Sequence, residues 1–306
     1  MSLSPPQNSQ SIAVVGLGGI GAVAAACLQE AGCHRVVGCS RKPIDRLFLE
    51  GPEGTKAVPL RSLTDPADAD GVDWVLLCTK AHQTASTAPW LARLCRPSTR
   101  VAVLQNGICH KDRVGRFVGG ATIVPTVVYF NAERLAFDHV RLRQFVDHDF
   151  AVADDAEGHA FARLFNGTQL HVLLSSDLKT LMWRKLLINA VANPITALTM
   201  QRMSVLRRGD VAALGAAILD EAVAVARASG AKLVSNDVST AIRTIGALPP
   251  DTGTSMYFDR LEGRELEFEA ITGAIVSVGE RLGVPTPLNR ALATLLRATS
   301  EAGAKA

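Results

Sequence analysis

The chain has 306 residues, enough for two domains that each enclose a core. Its 48% hydrophobic and 20% charged residues are the balance of an ordinary globular protein, not of a disordered or fibrous one. A net charge of +3 with both signs intermixed argues against a nucleic-acid surface, and no apolar run reaches the ~18 residues of a membrane span.

Met1–Gln10 is polar with Pro5-Pro6 and lacks the regions of a signal peptide, so a disordered leader is expected there. Ser11–Val15 reads as a short buried strand. A glycine turn follows, Gly16-Leu17-Gly18-Gly19-Ile20-Gly21, then an Ala-rich helix over Ile20–Ala31 that Gly32 ends. Arg35–Cys39 is the next strand, completing a βαβ unit of about 30 residues with its glycines at the strand-to-helix junction. Asp73–Cys78, Arg100–Leu104 and Ala121–Val128 read as further strands, with a helix over Thr84–Cys95. This alternation predicts a doubly wound parallel sheet. Between Phe130 and Val152 short alternating pieces such as Val140-Arg141-Leu142-Arg143 predict antiparallel strands at the sheet's edge. A helix over Ala156–Asn166 and a strand over Gln169–Leu173 follow. After Ser175 nearly everything reads as helix, including Val211–Ser229 before Gly230. Glu265–Leu282 carries a Phe268, Ile271, Ile275, Val278 and Leu282 stripe before Gly283 and Pro285. The expected domains are 11–174 and 175–306.

The six cysteines, Cys27, Cys33, Cys39, Cys78, Cys95 and Cys109, form no close CxxC pair, which argues against structural zinc. Several fall inside expected strands or helices, which fits a reducing cytoplasm.

The glycine turn has a mechanical rationale in dinucleotide binding. Gly16 permits the turn, Gly18 lets backbone approach a pyrophosphate, and Gly21 lets helix pack on strand, while the helix N-terminus offers free N–H groups. At the end of the second strand, where an NAD site places an acid for the ribose hydroxyl, the chain reads Cys39-Ser40-Arg41-Lys42. A guanidinium there suits a 2′-phosphate, so the expected cofactor is NADPH. On the expected helix around Trp183–Pro194, Lys185, Asn189 and Asn193 recur every four residues and share one face. One ammonium and two amides in so apolar a segment need polar partners, which a substrate can supply.

These features resemble the ketopantoate reductase (2-dehydropantoate 2-reductase) family. The matching segments are Gly16–Gly21, Thr79-Lys80-Ala81-His82-Gln83, Leu104-Gln105-Asn106-Gly107, Trp183–Pro194, and Ser255-Met256 followed by Glu267. The resemblance implies a Rossmann-type domain followed by an all-helical one, and NADPH-dependent reduction of ketopantoate to pantoate. It implies Lys185 as the acid that protonates the carbonyl oxygen and Glu267 as a carboxylate near the substrate hydroxyl. Ser255 would hold the substrate carboxylate, with Asn106, Asn189, Asn193 and Thr252 lining the site. Gly16, Leu17, Gly18, Gly19, Ile20, Gly21, Ser40, Arg41, Lys80, Gln83 and Asn106 would meet the cofactor. Hydride transfer to a ketone builds alkoxide charge, and a lysine can meet it if burial or nearby cations lower its pKa.

The chain also departs from the family pattern. Thr252 stands where members often carry Asn three residues before the matching serine, and Met200–Gly209 lacks an Asn-Gly pair found in some members. Such changes leave 2-keto acid reduction intact while admitting a related dehydrogenase acting on a different small 2-keto or 2-hydroxy acid. A reading of another class is a non-catalytic NADP(H)-binding sensor, against which the retained Lys185 and Glu267 count. An acyl enzyme built on Cys109 is weaker, since no base adjoins it in sequence. The implied partners are a small 2-keto acid and a second copy of the chain, with no nucleic acid and no membrane.

Overall fold

In the computed structural model, residues 9–234 and 236–303 are described. The leader expected at Met1–Gln10 lies, through residue 8, outside them; Gln10 itself accepts a backbone hydrogen bond from Arg35. The chain divides into two compact units. One comprises the residues up to Gln105 together with Cys109–Leu178, and the other comprises Asn106–Ile108 together with the residues from Lys179 onward.

The first unit is built on a six-stranded parallel sheet. Its strands are β1 (Ser11–Val15), β2 (Arg35–Cys39), β5 (Arg61–Leu63), β6 (Trp74–Leu77), β7 (Arg100–Val103) and β8 (Thr122–Pro125), in the order β5-β2-β1-β6-β7-β8. The central strands are apolar throughout because both faces are covered. Ile12, Val14, Trp74 and Leu76 enter the core shared with α1 (Gly19–Ala31), while Ala13, Val15, Val75 and Leu77 enter the one shared with α2 (Ala88–Leu94) and α3 (His110–Val114). The order reverses between β1 and β6, so the glycine turn at the end of β1 lies at the switch point, where such sheets bind ligands.

The pieces expected at the edge of this sheet form two separate sheets. β3 (Arg46–Gly51) and β4 (Gly54–Pro59) pair as a hairpin, and β11 (His139–Arg143) joins β3 in parallel with β10 (Asn131–Arg134) outside it. The third sheet is β13 (Val172–Ser175), β12 (Phe150–Ala153) and β9 (Val127–Val128). The expected strand over Ala121–Val128 is therefore split at Thr126, whose buried hydroxyl bonds back to Val124. Phe150 holds these layers together: it packs edge-on against Phe130 and Phe161 at 5.4 and 5.6 Å between ring centroids, with Phe161 on α4 (Ala156–Leu164). Full burial of each ring contributes about 1.5–3 kcal/mol.

Two further expectations are corrected. The helix over Thr84–Cys95 is regular only from Ala88, because the Thr84, Ser86 and Thr87 hydroxyls each bond the carbonyl three residues back and favour tight turns. The strand at Gln169–Leu173 begins at Val172, since the Asp149 carboxylate takes the His171 N–H.

The second unit is helical: α5 (Leu178–Thr199), α6 (Gly209–Ala228), α7 (Asn236–Ala247), α8 (Ser255–Leu261), α9 (Thr272–Leu282) and α10 (Pro287–Gly303). Residues 190–197 of α5 are all buried, as suits a central helix. The helix expected from Glu265 starts only at Thr272. Before it, Leu266 donates its N–H to the Ser300 hydroxyl on α10 at 2.9 Å, which holds the segment out of helical register. Among the described residues, no helix is long and apolar enough to cross a membrane.

Candidate functional site

In the first unit the glycine turn has the shape that a dinucleotide needs. Gly16 sits at φ +95°, and a Cβ there would come within 2.6 Å of Thr79 Cγ2 at the end of β6. A Cβ on Gly21 would stand 2.0 Å from the Gly16 carbonyl oxygen, so α1 can leave the turn at this angle only with glycine. The space beside Gly18 is open, and its side offers no cap to the first N–H groups of α1. Those donors and that opening fit a pyrophosphate. Leu17 is buried against Gly38, and Gly19 and Ile20 open the helix. At the end of β2 the Ser40 hydroxyl donates to the Lys42 carbonyl at 2.6 Å and shapes a turn that leaves Arg41 exposed. Arg41 makes no hydrogen bond or ion pair within the described residues, so its guanidinium is available to a phosphate. Lys80 is half-buried and opens the tight turn Ala81–Gln83, with Gln83 exposed.

In the second unit α5 carries Lys185, Asn189 and Asn193 along one face. Lys185 is half-buried, and burial pushes its pKa from 10.5 down to about 8. Asn189 is half-buried and Asn193 is 5% exposed. Neither amide has a side-chain hydrogen bond within the described residues, so both can meet a bound polar molecule. One turn on, the Thr196 hydroxyl meets the Thr254 hydroxyl at 2.8 Å. Thr254 caps α8 by accepting from the Tyr257 N–H, so the start of α8, with Ser255 exposed in its first turn, is tied to this face of α5. Thr252 is exposed and its hydroxyl donates to the Pro249 carbonyl.

Glu267 is 4% exposed, whereas Glu265 and Glu269 are exposed. Asn106 Nδ2 donates to Glu267 Oε2 at 3.0 Å. The same loop is locked beside Glu267 by Gly107, where a Cβ would fall 2.0 Å from the Ala270 carbonyl oxygen. The unit therefore gathers Asn106 with Glu267, and Lys185, Asn189 and Asn193 with the start of α8. Thr196 and Thr254 are the residues that sequence reasoning missed. Their only signals are the Thr196 spacing of three from Asn193 and a threonine three before Tyr257.

Two family models match the chain: one described as ketopantoate reductase PanE/ApbA over residues 12–154, and one as its C-terminal part over residues 177–300. A 2-dehydropantoate 2-reductase of Mycobacterium tuberculosis is 37% identical over 95% of this chain and 98% of its own length. Among solved structures, a PanE/ApbA family ketopantoate reductase from Ralstonia eutropha JMP134 superposes with a TM-score of 0.86 at 30% identity, covering 96% of this chain and 99% of that one. A dimeric ketopantoate reductase from Staphylococcus aureus gives 0.84 at 25% identity, over 96% and 99% of the two chains.

Proposed function

The chain belongs to the ketopantoate reductase family, and from that premise we propose that it reduces a 2-keto acid, ketopantoate foremost, with NADPH as reductant and Lys185 as proton donor. The family is one of oxidoreductases acting on CH–OH groups. The observation that carries the reading is the polar face of α5: an ammonium whose pKa burial brings down to about 8, followed by two amides whose side chains make no hydrogen bond among the described residues.

In this reading Gly16–Gly21 hold the cofactor's pyrophosphate, Ser40 and Arg41 its 2′-phosphate, and Lys80, Gln83 and Asn106 its remaining polar groups. When bound, a reduced nicotinamide would supply the hydride that the carbonyl carbon takes up. As negative charge builds on the carbonyl oxygen, Lys185 Nζ gives it a proton and becomes a neutral amine, which water recharges. Ser255 and backbone N–H groups at the start of α8 bind the substrate carboxylate. Buried Glu267 accepts from a substrate hydroxyl, oriented by Asn106, while Asn189 and Asn193 donate to the substrate's oxygens. We assign the nucleotide to residues 11–174 and the substrate to 175–306. The six free thiols are consistent with work in the cytoplasm, and two copies of the chain are proposed to pair, as the Staphylococcus aureus relative does.

A second reading keeps the chemistry and changes the acid. It is favoured by Thr252, whose hydroxyl is turned onto Pro249 where an asparagine amide would reach further. The test follows absorbance at the reduced-nicotinamide band with ketopantoate and a panel of 2-keto acids. Turnover fastest with ketopantoate supports the first reading, and turnover fastest with another acid supports the second. Cofactor binding with no turnover on any acid would leave the sensor.

A further inference from the structure

We infer that Thr196, which touches neither substrate nor cofactor in the proposed reaction, is the residue that positions Ser255 for the substrate carboxylate. The inference rests on the reading that Ser255 binds that carboxylate. Thr196 lies on α5, one turn after Asn193, and is fully buried. Its hydroxyl proton is directed at the Ala192 carbonyl at 2.7 Å, with the Asn193 carbonyl further off at 3.3 Å. Its oxygen lies 2.8 Å from the Thr254 hydroxyl. Thr254 accepts from the Tyr257 N–H at 3.1 Å, so its own proton is left for Thr196. A hydroxyl gives one proton and accepts through its lone pairs, which sets the direction of the whole run: Tyr257 N–H to Thr254, Thr254 to Thr196, and Thr196 to the backbone of α5.

The run ties the last residue before α8 to the stretch of α5 that carries Asn193. Thr254 caps α8, and Ser255, the next residue, is exposed in its first turn. The loop before the cap is held from another side, where the Met203 and Ser204 N–H groups donate to the Thr252 and Pro250 carbonyls, both at 3.0 Å. The bond from the cap to Thr196 therefore fixes the end of a loop whose beginning is already fixed. With it comes the place from which the Ser255 hydroxyl leaves the backbone. Valine at 196 keeps the branched shape of the side chain but offers no oxygen. The half-buried Thr254 hydroxyl then turns its proton elsewhere, and the start of α8 loses this tie to α5. Thr196 thus acts through Ser255 and is a positioning residue.

The test is a double-mutant cycle on the full chain, reading KM and kcat for ketopantoate at saturating NADPH alongside the melting temperature. Ser255→Ala is expected to raise KM about 10- to 100-fold, as loss of a hydrogen bond to a charged group does. Thr196→Val is expected to raise KM about 3- to 10-fold with kcat within about threefold of wild type, since the carboxylate is held alike in the ground and transition states. Thr196→Ser, which keeps the hydroxyl, is expected to hold KM within about twofold of wild type. In a Ser255→Ala background Thr196→Val is expected to change KM less than about twofold, because the group it positions is gone. A role in packing alone would lower the melting temperature and leave KM unmoved. If Thr196→Val does not fold, Thr254→Val breaks the same bond from the α8 side and is expected to raise KM at least as much, with the same dependence on Ser255. Wild-type KM in Thr196→Val beside a raised KM in Ser255→Ala, a Thr196→Ser enzyme as impaired as Thr196→Val, or losses that simply multiply, would overturn the inference alone. Wild-type KM in Ser255→Ala, or no turnover of ketopantoate, would remove the role of Ser255 and the inference with it.

Discussion

The pH dependence of reduction follows from the surroundings of Lys185. Burial lowers its pKa from 10.5 to about 8. In the proposed reaction the acid form of Lys185 gives the proton to the carbonyl oxygen, so the rate of reduction should fall as pH rises through about 8. At pH 7 about nine-tenths of such a group is protonated and at pH 9 about one-tenth, a tenfold loss of active enzyme; an ordinary lysine would lose only about 3% over that interval. The assay is kcat/KM for ketopantoate from pH 6 to 10, which reports the free enzyme. Oxidation of the 2-hydroxy acid should show the mirror image, rising with pH because the neutral amine then takes the proton. Lys185→Ala should lose the inflection along with most of the rate. A profile flat to pH 9.5, or an inflection near 8 that survives in Lys185→Ala, would refute the assignment.

Other predictions rest on different contacts. A lysine whose pKa is lowered by folding destabilises the fold below about pH 8 and ceases to do so above its unfolded value, so stability rises with pH across that window. Lys185→Met should accordingly raise stability at pH 7 by about 1–3 kcal/mol, the lower end reflecting partial exposure, with the gain shrinking above pH 8 in denaturant melts. Arg41→Ala should weaken NADPH by about 10- to 100-fold in direct titration while leaving NADH nearly unchanged; equal weakening would make Arg41 a bystander. Gly21→Ala should lower both the melting temperature and NADPH affinity, because the added methyl would stand 2.0 Å from the Gly16 carbonyl oxygen.

How legible these features were depended on whether the contacts were local. The β1–α1–β2 unit announces itself because the apolar runs are punctuated by glycines whose conformations the turn requires. The polar face of α5 is legible for the same kind of reason, since a spacing of four survives without knowledge of any partner. The β3–β4 hairpin is not, because β4 is exposed at all but one position and shows no alternation. The start of α9 is misread because the Leu266 bond to Ser300 links residues 34 apart. The site closes through bonds of the same non-local kind: Asn106 to Glu267 spans 161 residues and Thr196 to Thr254 spans 58. Ser255 and Glu267 came into view only through motif resemblance, since no local pattern singles them out.

The most direct measurement is single-turnover reduction by Lys185→Ala with the NADPH dissociation constant determined on the same preparation. Loss of the proton donor should slow hydride transfer by about 10²- to 10⁴-fold with the dissociation constant within about twofold of wild type. A single-turnover rate close to that of the unaltered enzyme would contradict the role given to Lys185.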